Sequence, residues 1–359
     1  MAAEARRKVV VLPPIAWLPA RREHRPDLGP DLASLERGLA AHGVDAVILD
    51  PMRRPWNPLH GRGPVLQGID PLRALRVLLF HRHVDAVLCV FEGPALVLAV
   101  LRGIMRFRPK VVMWDLILGG GWRLRSRMQD VIVPRVGEIV VLGSNQVAAI
   151  DGQWARHAPV RCVGHYLDTA FWRPMPVPKA GYALAVGDDH SRDYGLLLEA
   201  AGGLECEVVI RSGKELPLDT VRHRRVRQLR PRMAFTGLRD LYAGASVVVV
   251  PLHDGPTAGG VSALHEALAM GCAVVASDSA GIRDWLRDGE TCLVVPCGDA
   301  AAMGAAIQRL LGDPALRERL GAAARAYMLE ACTPDAFAAR LAARLTSGHL
   351  ATSARQRTN

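Results

Sequence analysis

No Cys-x-x-Cys pair occurs in this chain. Its seven cysteines are odd in number and scattered, with Cys292 and Cys297 the closest two. That argues against a disulfide framework and for a reducing compartment, so a cytoplasmic location is expected. No apolar run reaches the ~18 uninterrupted residues of a membrane helix. The N-terminal cations Arg6, Arg7 and Lys8 precede only Val9–Leu12 before Pro13 and Pro14, which reads as a first buried strand and not as an export segment. The first strand is not followed by Gly-x-Gly-x-x-Gly, which argues against a nicotinamide or flavin. His81 and His83 form a His-x-His with no third ligand nearby in sequence, so no metal site is expected.

The 359 residues are half apolar and carry a formal charge of +10. Two domains are the natural division of that length, and the charge favours acidic or phosphate-bearing partners. Short β-branched runs alternate with longer helical patterns. In the first half the expected strands are 8–12, 45–49, 86–91, 110–114, 139–142 and 160–163, and the helices 32–41, 72–81, 95–107 and 146–156. Prolines 174, 176 and 178 then interrupt the rhythm, and 171–179 reads as a stiff linker. The rhythm restarts with strands at 182–186, 207–210, 233–236, 246–251, 273–276 and 292–295, and helices at 196–201, 261–270 and 301–311. The expected organisation is an α/β domain over 1–170, the linker, a second α/β domain over 180–333, a helix over 334–346 and a polar tail over 347–359. Both domains have the βαβ order of a Rossmann-like parallel sheet, and a ligand is expected in the cleft between them.

The richest stretch is Val249–Gly271. A buried strand ends at Pro251, a loop with Gly255, Gly259 and Gly260 follows, and a helix starts near Val261. Ligands bind at the carboxyl ends of strands in such sheets, and glycines let the backbone approach them. Free N–H groups at a helix start favour an anion, so a diphosphate is expected against Gly259, Gly260 and Val261. Glu266 lies about a turn and a half further on, where its carboxylate can accept from a diol.

This stretch resembles the donor-binding signature of the retaining glycosyltransferases of family 4, which have the GT-B fold of two Rossmann-like domains. The resemblance rests on Gly259-Gly260-Val261 followed by Glu266-Ala267-Leu268-Ala269-Met270-Gly271. It extends through Ala273–Ser277, Gly281-Ile282, Asp288–Thr291, Leu293–Pro296 and Asp299, and upstream to Asp168-Thr169 and Leu241–Ala245. It implies a nucleoside-diphosphate sugar as donor, Glu266 on the ribose, and retention of configuration at the anomeric carbon. Three departures stand out. The family's first glutamate is Ala258 here, for which Asp254 is a substitute from the same loop. The Gly-Gly turn after the first strand is missing, with Gly29-Pro30 in its place. The cationic pair after the first C-terminal strand is not cleanly present: Gly187 precedes Asp188 and Asp189, the nearest cation is Arg192, and Arg211 and Lys214 follow the next strand. Arginine suits bidentate phosphate binding.

The acceptor is expected on the N-terminal side: a sugar, a lipid-linked group or a small molecule. Asp115 stands there to orient its hydroxyl and Trp114 to stack on a sugar face, with Glu92 as a further candidate. A core role for Trp114 and a capping role for Asp115 are the structural alternatives. No Asp-x-Asp occurs, so no divalent cation is expected at the donor. Basic residues cluster at 222–232, at Arg123, Arg125 and Arg127 beside Trp122, and at Arg102–Lys110. Without a recognition module or interleaved aromatics they do not indicate nucleic acid. Peripheral contact with an anionic membrane through Arg102–Lys110 or Trp122–Arg127 is the functional alternative to a merely solvated basic surface. A non-catalytic nucleotide-sugar-binding subunit is the rival to an enzyme, motivated by Ala258.

Overall fold

The computed structural model describes residues 6–14, 31–52, 56–57, 59, 68–105, 107–116, 118, 123–219, 223–231 and 233–347. Gly29, Gly119–Gly121, Trp122, Arg106, Arg222 and Arg232 lie outside them. The chain forms two compact units. One holds the first strand, Leu32–Gly164 and the chain from Asp335; the other holds His165–Pro334.

In the first unit, strands β1 (Arg7–Leu12), β2 (Val44–Ile48), β3 (Ala86–Val90), β4 (Lys110–Trp114), β5 (Glu138–Val141) and β6 (Val160–Cys162) make one parallel sheet in the order β2-β1-β3-β4-β5-β6. β3 and β5 are buried throughout, as strands covered on both faces must be. The crossovers are α1 (Asp31–Ala41), α2 (Pro71–Phe80), α3 (Glu92–Ile104), α4 (Arg123–Ile132) and α5 (Ser144–Gln153). α2 starts where Asp70 accepts from Arg73 N–H and Pro71 occupies the first turn. The last helix, α11 (Pro334–Thr346), completes this unit. Phe337 lies against Trp114, Arg340 Nε donates to Val163 O, and Lys110 Nζ donates to Arg344 O.

In the second unit, β7 (Ala183–Val186), β8 (Val208–Arg211), β9 (Val226–Leu229), β10 (Val247–Val250), β11 (Val274–Ser277) and β12 (Leu293–Val295) form a parallel sheet in the order β12-β11-β10-β7-β8-β9. The strand order reverses between β7 and β10. The crevice outside the carboxyl ends of those two strands is where an open α/β sheet binds its ligand. The helices are α6 (Tyr194–Ala201), α7 (Phe235–Gly244), α8 (Val261–Ala269), α9 (Ala300–Gly312) and α10 (Pro314–Ala331). The proline-spaced stretch 171–179 runs within this unit. Trp172 is buried there edge-on to Phe171, Phe235 and Tyr242, and Arg325 Nη1 donates to its carbonyl.

Helix α4 is not among the expected helices, and two further elements correct the sequence reading. Residues 233–236 are not a strand: Phe235 opens α7. The edge strand is β9, inside the arginine run. It pairs only with β8, so it needs few apolar residues, and Arg227 holds Glu207 across the ladder. The second is α10, missed although Asp313 accepts from Leu316 N–H and Pro314 stands in the first turn, both recognisable start signals.

Candidate functional site

The carboxyl end of β7 turns at Gly187, whose φ of +145° suits glycine. Arg192 folds back over it, so closely that a Cβ on Gly187 would lie 2.2 Å from Arg192 Nε. That Nε donates to Asp189 Oδ2 at 2.8 Å. Arg192 is only 6% exposed, and its Nη1 is buried with no hydrogen-bond partner among the described residues. A buried guanidinium nitrogen left unpaired is costly unless a ligand completes it. One strand over, Arg211 at the end of β8 donates from Nη1 to Asp188 Oδ2 at 2.8 Å, and its Nε is likewise buried and unpaired. Burial works to raise the Asp188 carboxyl, but bonds from Gly213 N–H, Arg211 and Ser212 hold it below the ordinary range, so it is a fixed anion. Lys214 Nζ donates to Asp189 O at 2.5 Å. The adjacent aspartates thus serve as anchors that aim three cations.

The loop after β10 meets this turn. His253 N–H donates to Ser191 O at 2.9 Å, and a Cβ on Gly259 would fall 2.0 Å from Ser191 Oγ. Gly260 caps α8 with φ +84° and no side-chain cap, leaving the first-turn N–H groups without a side-chain acceptor. Val261 opens the helix. Asp254 Oδ1 accepts from Gly255 and Ala280 N–H at 2.9 Å each, so this carboxylate ties the loop to the segment after β11.

α8 is buried on nearly every side, which makes its two buried polar residues conspicuous. Glu266, 8% exposed, accepts from the fully buried Tyr242 hydroxyl at 2.8 Å. Burial, and then the Glu266 charge, push the Tyr242 phenol well above its usual range, so it remains a donor; the Arg192 charge acts on it in the opposite sense. Tyr242 and Glu266 therefore form a hydrogen-bonded pair that feels the charge of Arg192. Sequence reasoning missed Tyr242, although its place in the helix before β10 was part of the resemblance.

His265 Nδ1 lies 2.9 Å from His165 Nδ1, with the Trp285 ring edge-on at 5.2 Å. Burial lowers both imidazoles, His165 to about 4 and His265 well below its ordinary range, where the His165 charge adds to the effect, so one neutral ring donates and the other accepts. The unfolded chain, with histidines near 6.5, binds more protons than the folded one between about pH 4 and 6.5. Stability should be complete above about pH 6.5 and fall as the pH drops below it, by up to about 1.4 kcal/mol per pH unit for each titrating ring. Denaturant midpoints measured from pH 7.5 down to 4.5 check this. His165→Asn, which keeps one donor and one acceptor but does not titrate, should flatten the slope; an unchanged slope refutes the assignment.

The first unit gathers the remaining candidates at the carboxyl ends of β3 and β4. Phe91 and Asp115 adopt φ of 63° and 64°, the only non-glycine positive values among the described residues. Such strain costs roughly 1–3 kcal/mol each and is typical of binding sites. Phe91 delivers Glu92 to the first turn of α3, buried, where Oε1 accepts from Gln129 Nε2 at 2.8 Å and lies 4.0 Å from Arg125 Nε. Asp115 Oδ1 accepts from Leu116 N–H and Gln146 Nε2, both at 2.9 Å. Burial raises its carboxyl, those two bonds oppose the rise, and the Glu92 charge adds to it. Trp114 leans on Phe337 with ring centroids 5.3 Å apart, so part of its surface belongs to the core. Gln129 and Gln146 were missed because nothing local marks them, and Arg125 was read only as part of a basic cluster. Among the described residues no three His, Cys, Asp or Glu side chains come together to hold a metal, and no helix is long and apolar enough to cross a membrane. None of the seven cysteines forms a disulfide.

Residues 189–313 match the family model for glycosyl transferases group 1. The chain is 35% identical over 146 residues to the phosphatidyl-myo-inositol mannosyltransferase of Mycobacterium leprae, covering 38% of each chain, so little more than a third of that relative's length is spanned. Over nearly the full chain the fold is that of solved proteins. Sucrose-phosphate synthase from Thermosynechococcus elongatus superposes with a TM-score of 0.70 at 19% identity, over 98% of this chain and 100% of that one. HepE from Anabaena, in complex with UDP and glucose, superposes with a TM-score of 0.69 at 14% identity, over 95% and 100%. The segment 189–313, which carries Arg192, Arg211 and the start of α8, is therefore similar to the glycosyl transferases group 1 family, in a chain with the GT-B fold of two Rossmann-like domains.

Proposed function

We propose that the protein moves a sugar from a nucleoside-diphosphate sugar to an acceptor hydroxyl, with retention of anomeric configuration and without a metal ion. The observation that carries this reading is the unpaired, buried Nη1 of Arg192 at the strand-order reversal, beside the uncapped start of α8. A diphosphate there would accept from Arg192, Arg211 and the α8 N–H groups, as a developing anion requires. Glu266 would take the ribose hydroxyls. A carboxylate offers about four acceptor sites, so it can serve Tyr242 and a diol together.

In the transfer the bond from the anomeric carbon to the phosphate oxygen breaks as that carbon gains oxocarbenium character. The acceptor oxygen bonds to the same face, and its proton passes to the leaving phosphate oxygen. The protein's task is then to stabilise charge on the diphosphate. Asp115 and Glu92 at the strained edge of the first sheet would orient the acceptor hydroxyl, and Asp254 and Lys214 would brace the donor loops. UDP-glucose and mannosyl donors are the first to test, because a structural neighbour holds UDP and glucose and a relative is a mannosyltransferase; inositol-containing acceptors come first for the same reason.

Incubating the purified chain with these donors and acceptors in excess chelator should give a product whose anomeric NMR couplings match the donor's configuration. Turnover should change little on adding magnesium or manganese. Activity abolished by chelator and restored by manganese refutes the metal-free donor site, and an inverted product refutes retention. A donor that is bound but neither transferred nor hydrolysed supports a non-catalytic subunit instead.

A further inference from the structure

The outer face of the helical layer in the first unit is apolar where a solvated surface would be polar. On α2, Leu72, Leu75, Leu79 and Phe80 are exposed at helical spacing, opposite the buried Ala74, Val77 and Leu78. α3 lies beside α2 and adds Val100 and Ile104; Phe80 is 75% exposed and Ile104 78%. α4 lies beside α3 and adds Leu124. An apolar patch continued across three neighbouring helices marks an interaction surface.

Its charge identifies the partner. Arg76, Arg123 and Arg127 are exposed on these helices, and Arg82 and Arg108 just beyond them. Asp130 is the one exposed carboxylate on the three helices, and it already accepts from Trp154 Nε1 at 2.8 Å. A second copy of this face would set arginine against arginine. A nucleic acid would have no use for the leucines. We infer that this face seats the protein on an anionic lipid bilayer, with the leucines, Phe80 and Ile104 entering the headgroup boundary and the arginines meeting lipid phosphates.

The surface overlaps the segments that sequence singled out, which hold Ile104, Arg108, Arg123, Leu124 and Arg127, but not every basic residue in them faces outward. Lys110 is held by Glu138, Arg344 O and Ser347 O, and Arg102 Nη1 donates to Arg135 O, so neither is presented to lipid. The apolar stripe of α2 takes their place. The inference is independent of sugar transfer, since its test uses no donor.

The full chain should co-sediment with vesicles of phosphatidylcholine mixed with phosphatidylglycerol far better than with phosphatidylcholine alone. The difference should shrink between 0.1 M and 1 M salt, as the Debye length falls from about 10 Å to about 3 Å. Phe80→Ser with Ile104→Ser should weaken partitioning about tenfold or more without changing the unfolding temperature. Arg76→Glu with Arg127→Glu should weaken it by about fivefold or more per site and reduce the salt dependence. Equal binding to both vesicles, no binding to either, or unchanged binding by both folded variants overturns the inference. So does a dimer in vesicle-free solution that the serine variant breaks, since the face would then be a protein interface.

Discussion

Arg192→Ala is expected to lower kcat/KM for transfer by about 10²–10³-fold while the protein stays folded. The guanidinium is buried, its Nε is committed to Asp189, and its Nη1 has no partner among the described residues. Removing it takes away a pre-aimed donor at the position where the leaving diphosphate gains charge. Because that charge develops in the transition state, most of the loss should appear in kcat. Arg192→Lys should recover part of the activity, because it keeps the charge and loses the planar fork. Glu266→Ala makes the contrast. It removes contacts to a part of the donor that does not react, so donor affinity should fall by about 1–3 kcal/mol and KM should carry the effect. Wild-type kinetics in Arg192→Ala would overturn the diphosphate assignment; wild-type donor affinity in a folded Glu266→Ala would overturn the ribose assignment.

Gly260→Val should reduce turnover below about a hundredth and abolish the thermal shift on donor binding. The left-handed backbone, φ +84°, strains any side chain and a β-branched one most, by about 1–2 kcal/mol or more. The new Cβ would also stand 2.9 Å from Leu252 Cδ2. Relief of the backbone strain requires the α8 start to move, which turns its N–H groups away from the diphosphate. Gly255→Ala is the control from the same loop: a Cβ there meets nothing within 4 Å, and activity should be close to wild type. If the two variants behave alike, the helix start is not the anion site.

The tertiary structure sorts candidates that sequence leaves level. Arg192, Arg211 and Lys214 are alike as basic residues after strands. In the fold the two arginines carry buried nitrogens without partners among the described residues, whereas the lysine's ammonium already donates to Asp189 O. Asp254, a substitute carboxylate by position, ties its own loop to Ala280. Trp114, a stacking platform by type, leans on Phe337 more than two hundred residues later.

The α/β rhythm, the glycine-led start of α8 and the place of Glu266 within it are legible in the chain alone. Each depends on neighbours a few positions away: apolar periodicity sets strand and helix, and a left-handed turn before a helix demands glycine. Tyr242 against Glu266, the His165–His265 pair, the edge strand hidden among arginines and the apolar outer face of α2 were decided only by folding. Whether a guanidinium is paired, an imidazole desolvated or a leucine stripe covered depends on segments brought together from far apart in the chain, and no local pattern encodes which of them arrives.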